Sequence, residues 1–313
     1  MGIKRLDIKD FLVFQNECSV GFCEGINVFI GGNGTGKTSL LKVLYVGHMK
    51  CFDSRGVDAE VVEEYFGANV LYNSENVKIT PDEAHYNMEF NFPDDVFIPE
   101  KDILEHAKGL LTFIVNKQTG FGAVYKDMLI KAQDIPTKQQ SETQKNIGSK
   151  ISAIIGGEVK WDKGDGSFYT IKKNGDRIPF TNEASGFKKF GLLGLLVTCG
   201  QLEKGSVLFW DEPENSLNPE LVPVLVDILL ELSKNGVQIF IATHDYNLAR
   251  YFDVRKDKNI PVMYHNLLKN NSGQIECKSS PEYLGLPNNL LEKASADLFE
   301  AVVTDAMGVK GNE

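Results

Sequence analysis

The chain has 313 residues, 42% hydrophobic and 24% charged, with 43 acidic against 33 basic side chains and a formal net charge of −10. That length allows a substantial core in one large domain or two small ones, and the acidic balance argues against a broad nucleic-acid-binding surface, although a local basic patch stays compatible with it. The five cysteines, Cys18, Cys23, Cys51, Cys199 and Cys277, form no C-x-x-C pair and read as reduced thiols of a cytosolic protein without a zinc site; the N-terminus has no apolar leader, and the most apolar stretch, Phe190 to Cys199, is too short to span a bilayer.

The first chemically informative segment begins at Ile26. Residues Ile26 to Ile30 form a short apolar run suited to a buried strand. Gly31-Gly32-Asn33-Gly34-Thr35-Gly36-Lys37-Thr38 fits G-x-x-x-x-G-K-[ST]. Glycines at these positions let backbone N–H groups turn inward around phosphates, a lysine such as Lys37 brings a point charge to the β- and γ-phosphates, and a hydroxyl such as that of Thr38 suits Mg²⁺. Ser39 to Tyr45 reads as a helix whose N-terminal dipole adds to an anion site. Strand, loop and helix in this order predict that the chain holds a nucleoside triphosphate with Mg²⁺.

Residues 51–180 read as an insertion. Tyr86 to Phe92 alternates like a strand, and Asp102 to Phe113 reads as helical. Ile130 to Lys150 is hydrophilic and suggests an exposed helix or mobile loop, with a solvated face favoured over a basic contact surface. Gly157 to Phe180 predicts a β-meander with turns at Asp162 to Gly166 and Lys172 to Asp176. The first of these turns lacks EF-hand spacing and a closing Glu. Asn116-Lys117-Gln118-Thr119 lacks the Asp that a guanine-binding motif needs at Thr119.

Beyond the insertion, Thr181 to Phe190 contains Ser185-Gly186 ahead of an apolar helix that runs to Cys199. Ser185 is a candidate N-cap, and the helix N-terminus could face an anion, although an N-capped core helix explains the segment equally well. Ser206 to Pro213 is an apolar strand ending in Asp211-Glu212, the pattern of a Walker B strand: Asp211 is placed to hold the Mg²⁺ shell beside Thr38, and Glu212 to polarise an attacking water. Val237 to Asp245 is another apolar run, ending in Thr243-His244-Asp245. A histidine at such a strand end lies on the ligand edge of an α/β sheet. A hairpin over Val262 to Cys277, turning at Asn270 to Gly273, and a helix from Asn288 to Ala306 complete the chain.

These pieces in this order resemble the ABC-type ATPases, and more narrowly the SMC/RecF/OLD-like branch. Leu6 to Phe14 is similar to that branch's opening strand, and Gly25 to Ile30 to its lead into the P-loop. Ala184 to Lys189 looks like its version of the signature, without the second glycine and the glutamine of the transporter form. Asp211 to Pro219 looks like its Walker B plus D-loop, with Asn218 where His is frequent, and His244 matches the switch histidine. Glu100, after Val96-Phe97-Ile98, stands where the Q-loop usually has glutamine. The resemblance covers residues 1–50 and 178–255.

The resemblance implies an α/β P-loop NTPase, a single ABC-ATPase head over residues 1–313. It would have a mostly parallel central sheet, an antiparallel β subdomain, a helical insertion at 51–180, a C-terminal hairpin and helix at 260–313, and no long coiled-coil arms. It implies ATP and Mg²⁺ bound at Gly31 to Ser39, with Thr38 and Asp211 on the metal and Glu212 and His244 as catalytic groups. It also implies a head-to-tail dimer in which Ser185 and Gly186 of one copy face the nucleotide of the other. The implied role is a cytoplasmic ATPase that regulates a partner effector, such as a nuclease or toxin in phage defence. A RecF-like DNA-repair ATPase is the alternative, with Lys172, Lys173, Lys188 and Lys189 as candidate basic contacts. A transporter ATP-binding subunit and an ATP-gated binding module without turnover stand further off, and no membrane association is expected.

Overall fold

The computed structural model describes residues 2–50, 59–66, 77–81, 95–101, 104–115, 122–134 and 139–307. Strands β1 (Ile3–Ile8), β2 (Cys18–Gly21) and β3 (Ile26–Gly31) lead into helix α1 (Lys37–Lys50). The insertion supplies α2 (Ala59–Phe66), β4 (Val77–Pro81), β5 (Val96–Ile98), α3 (Ala107–Val115), α4 (Ala123–Ala132), α5 (Glu142–Ile155), β6 (Gly157–Asp162), β7 (Ser167–Lys172) and β8 (Arg177–Pro179). There follow α6 (Ser185–Thr198), β9 (Val207–Asp211), α7 (Val222–Lys234), β10 (Gln238–Ala242), α8 (Tyr246–Arg255), β11 (Val262–Lys269), β12 (Ile275–Ser280) and α9 (Leu290–Ala306).

The central sheet has the order β12-β11-β3-β10-β9-β5. Its pairings are parallel except β11 with β12. The apolar runs of β3, β9 and β10 are continuous because both faces of the sheet are covered. Alternate residues serve different cores: Val28, Ile30, Leu208, Trp210, Ile239 and Ile241 face the side packed by α5, α6 and α7. Phe29, Phe209, Phe240 and Ala242 face α1 and the small antiparallel sheet β2-β1-β4. Gln238, a polar residue in an apolar strand, joins that small sheet to the large one. Its Oε1 accepts from Ile3 N at 2.7 Å and its Nε2 donates to Ile3 O at 2.9 Å.

The β-meander forms as expected, as the sheet β6-β7-β8. The expected hairpin also forms, as β11 and β12, and it is an integral edge of the central sheet rather than an appended unit. Three expectations need correction or lie elsewhere. Ile130 to Lys150 is not simply exposed: α5 carries a capping box at Ser141 and buries Gln144, Ile147, Ile151 and Ile155, because a 3.6-residue repeat of apolar side chains runs through otherwise polar sequence. Of the helix expected from Asp102 to Phe113, the described part holds a 3₁₀ turn at Leu104–His106 and bends at Lys108 and Gly109, where Gly109 takes φ +74°. The strand expected at 86–92 lies outside the described residues, as do Asn116 to Thr119 and Cys51. The longest helix among the described residues, α9, has 17 residues, and none is long and apolar enough to cross a membrane.

Candidate functional site

The C-terminal ends of β3, β9, β10 and β5 open on one edge of the sheet, the ligand edge of an open α/β fold. Residues 31–36 cross from β3 to α1 there. Two of the glycines are required by space. Gly31 has φ +145°, and a Cβ on it would lie 2.4 Å from Leu267 O; Gly36 has φ +89°, and its Cβ would meet Val13 Cγ2 at 2.5 Å. Thr35 closes the loop, its Oγ1 donating to Gly32 O at 2.9 Å, while Asn33 and Gly34 stand at the exposed tip and Ser39 in the first turn of α1.

Lys37 is folded back over this loop. Its Nζ donates to Gly31 O at 2.9 Å and Gly32 O at 3.2 Å, and lies 3.5 Å from His244 Nδ1. Burial pushes the Lys37 ammonium down to about 8, against the opposing pull of Glu212, Asp211 and Glu214. Thr38 Oγ1 donates to Asp211 Oδ2 at 2.8 Å. Burial pushes the Asp211 carboxyl up to about 6; the Thr38 hydrogen bond opposes this, and the charges of Glu212 and Glu100 add to it. Asp211 Oδ1 is buried and has no hydrogen-bond partner among the described residues. A carboxylate oxygen without a partner beside a threonine hydroxyl suits a divalent cation. No group of three His, Cys, Asp or Glu side chains among the described residues could hold a metal by itself. A Mg²⁺ ion here would therefore share Asp211 and Thr38 with phosphate oxygens.

Glu212 follows β9 in a left-handed conformation, φ +48°, with its N–H donating to Ala242 O at 2.9 Å. This turn brings Glu212 Oε1 to 3.4 Å from His244 Nε2. His244, just beyond β10, is held below its usual range by burial and by Lys37, against the opposing pull of Glu212 and Glu100. Glu100, beyond β5, accepts from Asn215 Nδ2 at 3.3 Å and adds negative charge at Asp211 and His244.

Ser185 and Gly186 stand at the start of α6, where a Cβ on Gly186 would lie 3.3 Å from Leu217 Cδ2. The expected Ser185 N-cap is corrected to Ala184: its extended backbone (φ −62°, ψ 141°) precedes the helix, Ser185 is already the first helical residue, and Ala184 has no side chain with which to cap. The candidate basic contacts also change. Lys188 and Lys189 are buried, Lys189 Nζ donates to Glu212 O at 2.8 Å, and Lys172 Nζ donates to Ile155 O at 2.9 Å and pairs with Glu183. Of the four, Lys173 stays exposed.

Glu214 and Lys189 take positions at the site that differ from their sequence reading, in which Glu214 has no individual role and Lys189 is a candidate basic contact. Glu214 Oε1 accepts from Thr243 Oγ1 at 2.6 Å and from His244 N at 3.2 Å, so it holds the loop that carries the histidine. Lys189 ties α6 to the carbonyl at the end of β9. The available signals were a third acid two residues past Glu212 and a lysine one helical turn after Ser185.

Comparison with known proteins finds partial relatives and a shared fold. A family model described as "AAA domain, putative AbiEii toxin, Type IV TA system" matches residues 123–250, which include Asp211, Glu212 and His244. A "Putative ABC transporter ATP-binding protein" of Caldanaerobacter subterraneus subsp. tengcongensis is 32% identical over 127 residues, 41% of this chain and 46% of that protein. The DNA replication and repair protein RecF of Enterobacter sp. is 38% identical over 65 residues, 20% of this chain and 18% of that protein. The chain spans less than half the length of the first three curated relatives it matches, at 46%, 38% and 34%. Among solved structures, an SMC head bound to the C-winged helix domain of ScpA superposes with TM-score 0.53 at 14% identity, over 94% of this chain and 100% of that one. The fold is like that of an SMC head, a P-loop fold with a mostly parallel sheet. In strand order, phosphate loop and partial relatives the chain is similar to the SMC/RecF-like branch of the ABC-type ATPases.

Proposed function

We propose that the protein binds and hydrolyses Mg-ATP at this site, closes around ATP as a head-to-tail dimer, and through that closure regulates an effector carried by another chain. The observation that carries the reading is the convergence of Lys37, Thr38, Asp211, Glu212 and His244 from three strand ends that are far apart in sequence. In this reading the backbone N–H groups of residues 32–37 and the Lys37 ammonium hold the β- and γ-phosphates. Mg²⁺, when bound, neutralises charge on the phosphate oxygens. Glu212 accepts a hydrogen bond from the attacking water, whose oxygen bonds to the γ-phosphorus as the bond to the β-phosphate bridging oxygen breaks. The water proton passes to Glu212 or to the departing phosphate. His244, 3.4 Å from Glu212, donates to a γ-phosphate oxygen and reports its presence to the β10 end.

Ser185 and Gly186 serve the partner copy in this scheme, with the N-terminus of α6 meeting the γ-phosphate across the interface. Lys189, bonded to Glu212 O, would carry the state of that interface to the site of chemistry. The matched family description, which names a toxin system, supports an effector in phage defence, and a nuclease is the proposed effector. A cytoplasmic setting and an OLD-like role belong to the same proposal. The RecF relatives favour a second reading, a DNA-repair ATPase. The net charge of −10 and the engagement of Lys172, Lys188 and Lys189 inside the protein weigh against it.

The test is Mg²⁺-dependent phosphate release by the purified protein, with and without duplex DNA. The account expects turnover that is lost in Glu212→Gln and unaffected by DNA. Turnover that survives Glu212→Gln would refute the role given to that residue, and strong, salt-sensitive stimulation by DNA would favour the RecF-like reading.

A further inference from the structure

Away from the phosphate loop, α5, α6 and β6 border a half-open cavity of about 710 Å³. That volume lies within the range of small-molecule sites rather than of flat protein interfaces. Its chemistry is not that of a packing defect. Lys145, Lys163 and Lys173 line it from α5, from the end of β6 and from the end of β7, and none makes an ion pair among the described residues. The two acids in the lining are already engaged: Glu158 pairs with Lys160 at 2.8 Å, and Asp134 accepts from Gln201 Nε2 at 3.0 Å. With Lys160 the lining carries four lysines against these two acids, on a protein whose net charge is −10. Ser149 and Ser152 add hydroxyls along the α5 wall. Trp161, half-buried against Phe168 at 4.6 Å between ring centroids, lines the same space and offers an aromatic surface.

We infer that this cavity is a second ligand site, for a small phosphorylated ligand bearing an aromatic ring, that is, a nucleotide distinct from the ATP of the phosphate loop. Three exposed lysines without an ion-pair partner among the described residues, at the rim of a half-open cavity, suit a phosphate. Serine hydroxyls suit a ribose or further phosphate oxygens, and a tryptophan face suits a base. An acidic peptide would satisfy the lysines but would leave the aromatic wall without purpose. The cavity also touches α6, through Gly191 and Gly194. An occupant bears on the helix that carries Ser185 and Gly186 and whose Lys189 holds Glu212 O. The site thus supplies a place where a nucleotide signal can act on the ATP site, and it stands whether or not ATP is hydrolysed there.

The chain has two tryptophans, and Trp210 is fully buried in the central sheet, so Trp161 is the natural optical reporter. The experiment titrates adenosine and guanosine 5′-monophosphates, and inorganic phosphate, into the Lys37→Ala protein, in which the phosphate loop has lost its charge. The expected result is saturable quenching by at least one nucleotide but not by phosphate. The quenching should be absent in Lys37→Ala/Trp161→Phe and should need at least about tenfold more ligand in Lys37→Ala/Lys145→Glu/Lys173→Glu. Apart from Lys37, the substituted side chains line the half-open cavity, and circular dichroism checks that each variant is folded. Equilibrium dialysis with the labelled nucleotides gives a readout independent of the tryptophan. No saturable binding of either nucleotide by both methods would overturn the inference. So would equal binding by the double lysine variant, and equal quenching by inorganic phosphate would overturn the assignment to a ring-bearing ligand.

Discussion

Thr38 Oγ1 donates a 2.8 Å hydrogen bond to Asp211 Oδ2 across 173 residues of sequence. This contact joins the phosphate loop to the end of β9, and it is the point at which a metal would enter. It also sets a cost. Burial raises the Asp211 carboxyl to about 6, above its ordinary value of 3.8, so the folded protein without nucleotide disfavours the ionised form.

The sign of that effect can be measured. A raised carboxyl contributes stability at low pH that is lost as pH rises through the folded value near 6. Asp211→Asn is therefore expected to stabilise the nucleotide-free protein above pH 6, by an amount on the order of 2 kcal/mol, and to have little effect below pH 4. The same variant should lose the rise in Tm that Mg-ATP gives the wild type. Thermal melts across pH 4 to 8, with and without Mg-ATP, check both statements.

Lys37 yields a complementary prediction. Without nucleotide its ammonium is held down to about 8, mainly by burial. A phosphate beside it favours the charged form. ATP binding at pH 8.5 should therefore take up protons at Lys37, in contrast to pH 6.5, where the ammonium is already charged. Isothermal titration in two buffers of different ionisation enthalpy measures this. The uptake should vanish in Lys37→Met together with most of the affinity.

Glu214 positions rather than reacts. Its Oε1 holds both Thr243 and the His244 backbone, and burial raises its carboxyl. Glu214→Ala should lower kcat by about tenfold or more while changing KM for ATP little, because Lys37 and Thr38 are untouched. Glu214→Gln, which keeps an acceptor oxygen, should recover most of the loss. Steady-state kinetics of the two variants separate positioning from a general loss of fold.

Much of this site was legible because its strongest signals are local. The P-loop, the Asp211-Glu212 strand end and the Thr243-His244-Asp245 strand end are each contiguous, and strand alternation and turn residues suffice for the β6-β7-β8 meander and the β11-β12 hairpin. The contacts that tie these pieces together are long-range and leave little local trace. Gln238 bonding to Ile3, Lys189 reaching Glu212 O and Glu214 holding His244 each pair residues that are 23 or more positions apart. Lys188 and Lys189 read as a surface pair because lysines are usually exposed; their burial follows from carbonyls at Thr181, Glu212 and Pro213 that no local pattern reveals. The amphipathic face of α5 was masked by its many polar residues, although Ile147, Ile151 and Ile155 recur at helical spacing.

The central claim is that ATP is bound between two copies, and molar mass tests it most directly. Light scattering on Glu212→Gln, which keeps the binding groups while removing the water-polarising carboxylate, should show a 34.8 kDa monomer without nucleotide and twice that mass with Mg-ATP. Adding Ser185→Arg, which places a bulky side chain at the start of α6, should restore the monomer without abolishing ATP binding. A mass that stays monomeric while ATP saturates the site, or a dimer indifferent to Ser185→Arg, would contradict the account.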